Sequence, residues 1–237
     1  MRNILAVAGK EVKAYFTSPM AYVVAAVFLA ITGYFFVQAV SQPFAEASIR
    51  GWLVPSTFIF VLWSPVLTMR LLAEEQKLGT LELLLTAPVR DHEVVLGKFL
   101  ASLAILKGTV ALTLYYVVLL FWFGDPDLGP LLTGYLGLLL YGAATLAVGL
   151  MASSLTGNQI VAAVVGFGIL LLLTLSDQAA AITSGLPSRI LEGVSLTGHF
   201  SDFARGILDT NNVIYYVSVT VLFLFFTVRI VESRRWR

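Results

Sequence analysis

Residues 131–151 read LLTGYLGLLLYGAATLAVGLM, a stretch without a single charged side chain. A helix rises about 1.5 Å per residue, so about 20 apolar residues cross the roughly 30 Å hydrocarbon layer of a bilayer. Five further stretches meet the same criterion. The sequence therefore predicts an all-α membrane protein with six transmembrane helices, at about residues 22–40, 52–72, 99–123, 131–151, 159–175 and 213–231.

The composition supports a membrane location. Hydrophobic residues make up 58% of the 237-residue chain, charged residues 12%, and the mean hydropathy is +0.88. A soluble domain of this length could not hide so much apolar surface from water. The length allows one domain over 1–237. A net charge of +1 gives no field that would attract nucleic acid, and the absence of cysteine excludes disulfides and Cys-ligated metals.

The first apolar run and the basic residues together predict a topology. Residues 22–40 are too long for the apolar region of a signal peptide, so we expect a retained helix. Basic residues concentrate on one side of the six spans, which predicts that both termini and residues 73–98 are cytoplasmic in a bacterial inner membrane. That side carries eleven of them against three on the other (Arg50, Arg189 and Arg205): Arg2, Lys10, Lys13, Arg70, Lys77, Arg90, Lys98, Arg229, Arg234, Arg235 and Arg237.

The residues before the first span have helical periodicity. Apolar side chains at 4, 5, 8, 12, 15 and 16 share one side of a helix over 4–16, and Lys10, Glu11 and Lys13 fall toward the other. This pattern predicts an amphipathic helix in the cytoplasmic interface, broken at Ser18-Pro19. A solvated leader without a membrane role is the alternative.

The segment after the second span, 74–90, reads EEQKLGTLELLLTAPVR. Gly79 separates the end of the span from a short predicted helix, for which Thr80 is the N-cap and Pro88 the end. Leu81, Leu84 and Leu85 form the apolar stripe of this helix. An apolar stripe held away from the bilayer requires a protein partner.

The pattern EExxxGTLExLLxxP after the second of six spans resembles the first cytoplasmic loop of type-2 ABC exporter permeases. Residues 10–19 (KEVKAYFTSP) resemble the connecting helix at the start of that family, and 199–210 (HFSDFARGILDT) are similar to its gliding-motility (Gld-type) branch. The resemblance covers essentially the whole chain.

The resemblance implies a permease subunit that couples to a separate ATPase. Two permease copies, or this chain with a related one, would assemble with two ATPase subunits and, in some systems, an auxiliary membrane subunit. ATP-driven closure would reshape a path between the second and fifth spans. The implied coupling residues are Glu74, Glu75, Gly79, Thr80, Leu81, Glu82, Leu84, Leu85, Pro88 and Arg90.

The chain itself has no phosphate-binding motif. Gly9-Lys10 and Gly97-Lys98 lack both the preceding glycine and the following Ser/Thr of a P-loop. We therefore expect no cofactor on this chain, with ATP and Mg²⁺ bound by the partner ATPase, and no catalytic residue or metal ligand here.

Polar residues within the spans have two interpretations each. Thr57, Ser64 and Thr68 share roughly one face of the second span and either line a substrate path or, as we favour, hydrogen-bond a neighbouring helix. Lys107 is either functional or extends to the interface from a helix that begins in the cytoplasm. Arg70 and Glu74 are one turn apart, which predicts a local ion pair.

The long outer connection also has helical periodicity. Phe200, Phe203, Ala204, Ile207 and Leu208 predict an interfacial or re-entrant amphipathic helix. Residues 187–193 predict a second short one. The resemblance implies that both cap the outer exit of the path.

Three other functions fit less well. An intramembrane protease would need an Arg where Gly79 stands, and no HExxH motif occurs. An ion-coupled carrier usually places carboxylates or broken helices at mid-bilayer, which these spans lack. A membrane anchor for a motility or envelope complex, without transport, stays open because of the Gld-type resemblance.

Overall fold

The computed structural model of the chain describes residues 2–42, 48–80 and 89–234, and at position 20 the backbone alone. Every regular element in these ranges is a helix, which confirms the all-α class. In chain order they are α1 (Arg2–Thr17), α2 (Pro19–Val40), α3 (Arg50–Lys77), α4 (Asp91–Leu112), α5 (Leu114–Phe123), α6 (Leu128–Leu155), α7 (Gln159–Ile182), α8 (Leu186–Val194), α9 (Phe200–Arg205) and α10 (Thr210–Arg234).

Six segments of the described chain are long and apolar enough to cross a membrane, as the sequence predicts: α2, α3, α4 with α5, α6, α7 and α10. Several extend past their predicted ends. Helix α3 runs to Lys77 instead of residue 72, and α4 begins at Asp91 instead of residue 99. Polar residues continue a helix as readily as apolar ones, so hydropathy alone underestimates its length. The Glu93 carboxylate accepts from the Arg90 backbone N–H (3.0 Å) and so caps the early start of α4.

The predicted break between α1 and the first span is confirmed. Ser18 has an extended backbone (φ −93°, ψ 128°), and Pro19 occupies the first turn of α2. Proline suits this position because the first turn of a helix leaves its N–H groups unbonded. The chain therefore changes direction at Ser18, and α1 is free to pack along another helix.

The centre of the bundle is the contact between α3 and α6. Three glycines of α6 allow this close approach: a Cβ at Gly134 would lie 2.4 Å from Leu53, one at Gly142 3.1 Å from Phe60, and one at Gly149 2.3 Å from Thr68, all side chains of α3. Helices pack closely in membranes mainly through such small residues. Helix α6 is consequently the most enclosed span of the molecule.

Helix α1 begins and helix α10 ends at one end of the bundle. Asn3 of α1 donates to Glu93 at the start of α4 (3.1 Å), and Arg234 of α10 donates to the carbonyls of Ser154 and Leu155 at the end of α6. We call this the terminal end; it includes the end of α3. The opposite end, with α8, α9 and residues 124–127, is the far end.

The connection from α7 to α10 folds back into the bundle at the far end. After α7 ends at Ile182, α8 packs against it, and the Leu196 N–H donates to the Leu173 carbonyl (3.2 Å). Leu173 lies nine residues before Ile182, or about 13 Å along the helix at 1.5 Å per residue. The predicted short helix at 187–193 is confirmed as α8, and the connection folds back alongside α7.

The predicted helix at 200–208 is shorter than expected. Phe200, Phe203 and Ala204 are buried as the pattern predicts, but α9 ends at Arg205, and Ile207 and Leu208 are exposed. Gly206 has φ 91°, a left-handed backbone that ends helices and that glycine adopts without steric cost. The apolar spacing continued past this glycine although the helix does not.

Candidate functional site

The predicted coupling residues surround the end of α3. Glu74 and Glu75 lie in its last turns, Gly79 and Thr80 follow it, and Arg90 precedes α4. Gly79 has φ 68° and open space around it, so the chain leaves α3 through a conformation that other residues adopt only with strain. Leu81, Glu82, Leu84, Leu85 and Pro88 lie outside the described residues. The coupling role of the whole set stays a prediction.

The predicted ion pair between Arg70 and Glu74 is confirmed, with a distance of 3.1 Å between the guanidinium Nε and the carboxylate. Arg70 also donates to the Ser18 hydroxyl (3.1 Å), at the break between α1 and α2. The pair is about one-third exposed, and exposed pairs contribute little stability. Its effect is to orient the end of α3 toward the α1–α2 junction.

A second ionic contact is almost completely buried. The Lys98 ammonium of α4 lies 2.8 Å from the Glu11 carboxylate of α1 and 2.9 Å from the Glu75 carboxylate of α3, and the Lys98 side chain is only 1% exposed. We call these three residues the Lys98 cluster. It joins three helices at the terminal end, and the sequence pattern did not reveal it.

The predicted faces of α1 are partly wrong. Glu11, expected on the solvated side with the lysines, faces the bundle. Glu11 follows Ile4 by seven residues and precedes Tyr15 by four, so helical geometry puts all three on one side. A buried ammonium on α4 explains why an acidic residue occupies that side.

Tyr15 forms another link between α1 and α3. Its hydroxyl donates to the Leu67 carbonyl of α3, and its ring is buried. Burial, and then the nearby Glu11 carboxylate, raise the pKa of Tyr15 well above its ordinary value. The phenol therefore keeps its proton at physiological pH and remains a hydrogen-bond donor to α3.

Helix α6 also binds the backbone of α3 at this end. The Ser153 hydroxyl accepts from the backbone N–H groups of Leu72 (3.1 Å) and Ala73 (3.0 Å) and donates to the Met69 carbonyl (3.0 Å). One turn further, the Gln76 amide donates to the Ser154 carbonyl (2.9 Å). The end of α3 is thus held by α1, α4 and α6 together.

The three hydroxyls of the second span lie inside the bundle. Thr57, Ser64 and Thr68 are fully buried; Ser64 bonds Thr145 of α6 (2.8 Å), while Thr57 and Thr68 bond carbonyls of α3 itself. Of the three, only Ser64 bonds a neighbouring helix as the helix-bonding interpretation predicts; Thr57 and Thr68 do not. A role in a substrate path stays a prediction.

The open face of α3 is apolar instead. Val54, Phe58 and Leu62 recur every four residues and are 45%, 49% and 59% exposed. On one side of this face Pro65 packs near Gly166 of α7, and on the other Trp63 packs on Phe28 of α2. The sequence contained this signal, since four-residue apolar spacing marks one side of a helix.

Lys107 is exposed on α4, sixteen residues after the helix begins at Asp91. Side chains on a helix lean toward its N-terminal end, which for α4 is the terminal end. Both interpretations of Lys107 stay predictions. Within the described residues, no group of three or more His, Asp or Glu side chains could hold a metal ion.

Residues 5–225 match a family described as ABC-2 family transporter protein. The chain belongs to this family. The match covers the first five spans and α10 as far as residue 225, and it confirms a multi-pass ABC transporter permease.

The permease is also similar to two proteins named as probable multidrug ABC transporter permease YbhS, from Escherichia coli strain K12 and from Escherichia coli O157:H7. Each is 28% identical over 164 residues, which covers 64% of this chain and 39% of the relative. The permease therefore aligns with well under half the length of these curated relatives.

Proposed function

We propose that this permease is the membrane subunit of an ATP-driven exporter and that it receives movement from a separate ATPase at its terminal end. The terminal end would face the cytoplasm of a bacterium, with the segment after Gly79 docked on the ATPase. The observation that carries the proposal is the attachment of α3 to α1, α4 and α6 just before that segment. A force applied after Gly79 would reach the whole bundle through these contacts.

Co-purification tests the docking. Leu84→Asp combined with Leu85→Asp places two charges on the predicted apolar stripe, so an ATPase encoded with the permease should no longer co-purify with it. Leu208→Asp makes the same change at the exposed far end and should retain the ATPase. Retention of the ATPase by the double variant would overturn the docking proposal.

A second permease copy, or a related permease, completes the proposed transporter. The apolar face of α3 between α2 and α7 is a suitable surface for it, with the substrate path beside this face. Two permeases and two ATPase subunits would then open the path first to one end of the bundle and then to the other.

The same apolar face supports an apolar, amphiphilic or peptide substrate over a small ion. The YbhS relatives carry a multidrug name, which agrees with such a substrate class. Transport of a hydrophilic ion by the reconstituted complex, abolished by Thr57→Val or Ser64→Ala, would contradict this class and would support a path along the buried hydroxyls.

The alternative function is a membrane anchor in a motility or envelope complex, which the resemblance of residues 199–210 to the Gld-type branch favours. A pure anchor would be indifferent to the Leu84 and Leu85 changes. Loss of the ATPase in the double variant therefore separates the two functions.

A further inference from the structure

The Lys98 cluster is an unusual way to join helices near a membrane surface. One ammonium, 1% exposed, is shared by two carboxylates that are 14% and 15% exposed. Removing a charge from water is costly and is offset only when its partners are close and well aligned. Both distances here are below 3 Å, so the three side chains hold one another in one arrangement.

The two carboxylates come from elements with different attachments. Helix α1 packs tightly on α4, where a Cβ at Gly97 would lie 2.7 Å from Val7. Helix α3 packs far more closely on α6 than on α4. The contact between Lys98 and Glu75 is therefore a bridge between two units, α1 with α4 on one side and α3 with α6 on the other.

The position of Glu75 gives this bridge its importance. Glu75 lies two residues before α3 ends at Lys77, whereas the other links from α1 reach α3 at Leu67 and Arg70. From Lys77 to Thr80 the side chains are exposed. The Lys98 cluster is thus the last buried contact between α3 and the α1–α4 unit before the chain leaves toward the proposed ATPase.

We propose that Lys98 is a positioning residue that makes α1 and the end of α3 move as one body when the ATPase acts. The inference rests on the proposed function, because it assigns the route by which movement of the coupling segment reaches α1. Without the cluster, the end of α3 would move while α1 stays on α4.

Distance measurement by double electron–electron resonance tests the inference on the full-length permease. The chain has no cysteine, so spin labels attach only where cysteines are introduced. Gly9→Cys on α1 and Lys77→Cys at the end of α3 are exposed and lie outside the cluster, and a side chain at Gly9 meets nothing within 4 Å. Labelled chains are diluted with unlabelled chains so that only distances within one chain are read.

The parent is the permease with labels at positions 9 and 77 and no other change. We expect one narrow distance between its two labels, and we expect this distance to stay the same when the co-purified ATPase binds a non-hydrolysable ATP analogue. Lys98→Met and Glu75→Gln should each broaden the distance and make it shift with nucleotide. The matched control is Glu232→Gln, which makes the same change in an ion pair confined to α10, and it should keep the narrow distance.

A broad distance in the parent, or a narrow one in both Lys98→Met and Glu75→Gln, would overturn the inference. Should Lys98→Met fail to fold, Glu75→Gln alone decides, because it removes a charge without changing size. Failure of the proposed function would give a different result. In that case no ATPase would co-purify with the parent, but the distance between the labels in the permease alone would still show whether the cluster holds α1 and α3 together.

Discussion

At the scale of single residues, we expect loss of the Ser153 hydroxyl to have the clearest effect on stability. Its hydroxyl touches three backbone groups of α3, and a buried group deprived of its partner costs about 1–3 kcal/mol. We expect Ser153→Ala to lower the thermal unfolding midpoint of the detergent-solubilised permease. Ser154→Ala is the control, because the Ser154 hydroxyl donates within its own helix to Met151 (2.6 Å) and its carbonyl contacts survive the change. Equal midpoints for the two variants would contradict this account.

The Lys98 cluster marks the limit of sequence reasoning at this scale. The charge of Glu11, shared with Lys10 and Lys13, suggested the solvated side of α1, although its spacing from Ile4 and Tyr15 puts it on their side. Its partner lies 87 residues away on another helix, and no local pattern records such a distance. The pair of Arg70 and Glu74, four residues apart on one helix, was predictable because helical geometry alone brings it together.

At the scale of helices, the contact between α3 and α6 depends on Gly149. A methyl group there would lie 2.3 Å from the Thr68 hydroxyl and 3.3 Å from the Ser64 carbonyl, which is backbone and cannot rotate away. Gly149→Ala should therefore destabilise the permease by about 1–3 kcal/mol, the usual cost of overpacking, and lower its thermal midpoint.

Gly168 on α7 offers a matched control for that change. A Cβ at Gly168 meets nothing within 4 Å. Gly168→Ala should therefore leave the free energy of unfolding unchanged or raise it by up to about 1 kcal/mol, because alanine favours the helix more than glycine does. A larger loss at Gly168 than at Gly149 would show that the close approach of α6 to α3 does not limit stability.

The existence of each span was predictable because an uninterrupted apolar run has few other uses. The ends of the helices were not predictable, because α3, α4 and α7 continue through polar residues. Such residues lower the hydropathy but still form a helix. The side of α3 that lies open was missed for a related reason: in lipid, hydroxyls turn inward to bond and apolar side chains turn outward.

At the scale of the whole molecule, the orientation is open to direct measurement. With the terminal end in the cytoplasm, a membrane-impermeant maleimide added to intact cells should label Leu208→Cys and leave Thr80→Cys unlabelled until the cells are permeabilised. Both positions are exposed, and the cysteine-free parent gives no background. Labelling of Thr80→Cys in intact cells would invert the topology and remove the proposed docking side.

The connection from α7 to α10 at the far end constrains how the permease can open. Its tip is fastened to two spans, by the bond from Leu196 to Leu173 of α7 and by Tyr215 and Tyr216 of α10, whose hydroxyls donate to the carbonyls of Val194 and Leu196 (both 2.6 Å). Swinging the tip away from α7 and α10 would break all three bonds together, and a buried group left without its partner costs free energy. The tip therefore cannot swing aside as a hinged flap; to widen this end, α7 and α10 have to carry it with them.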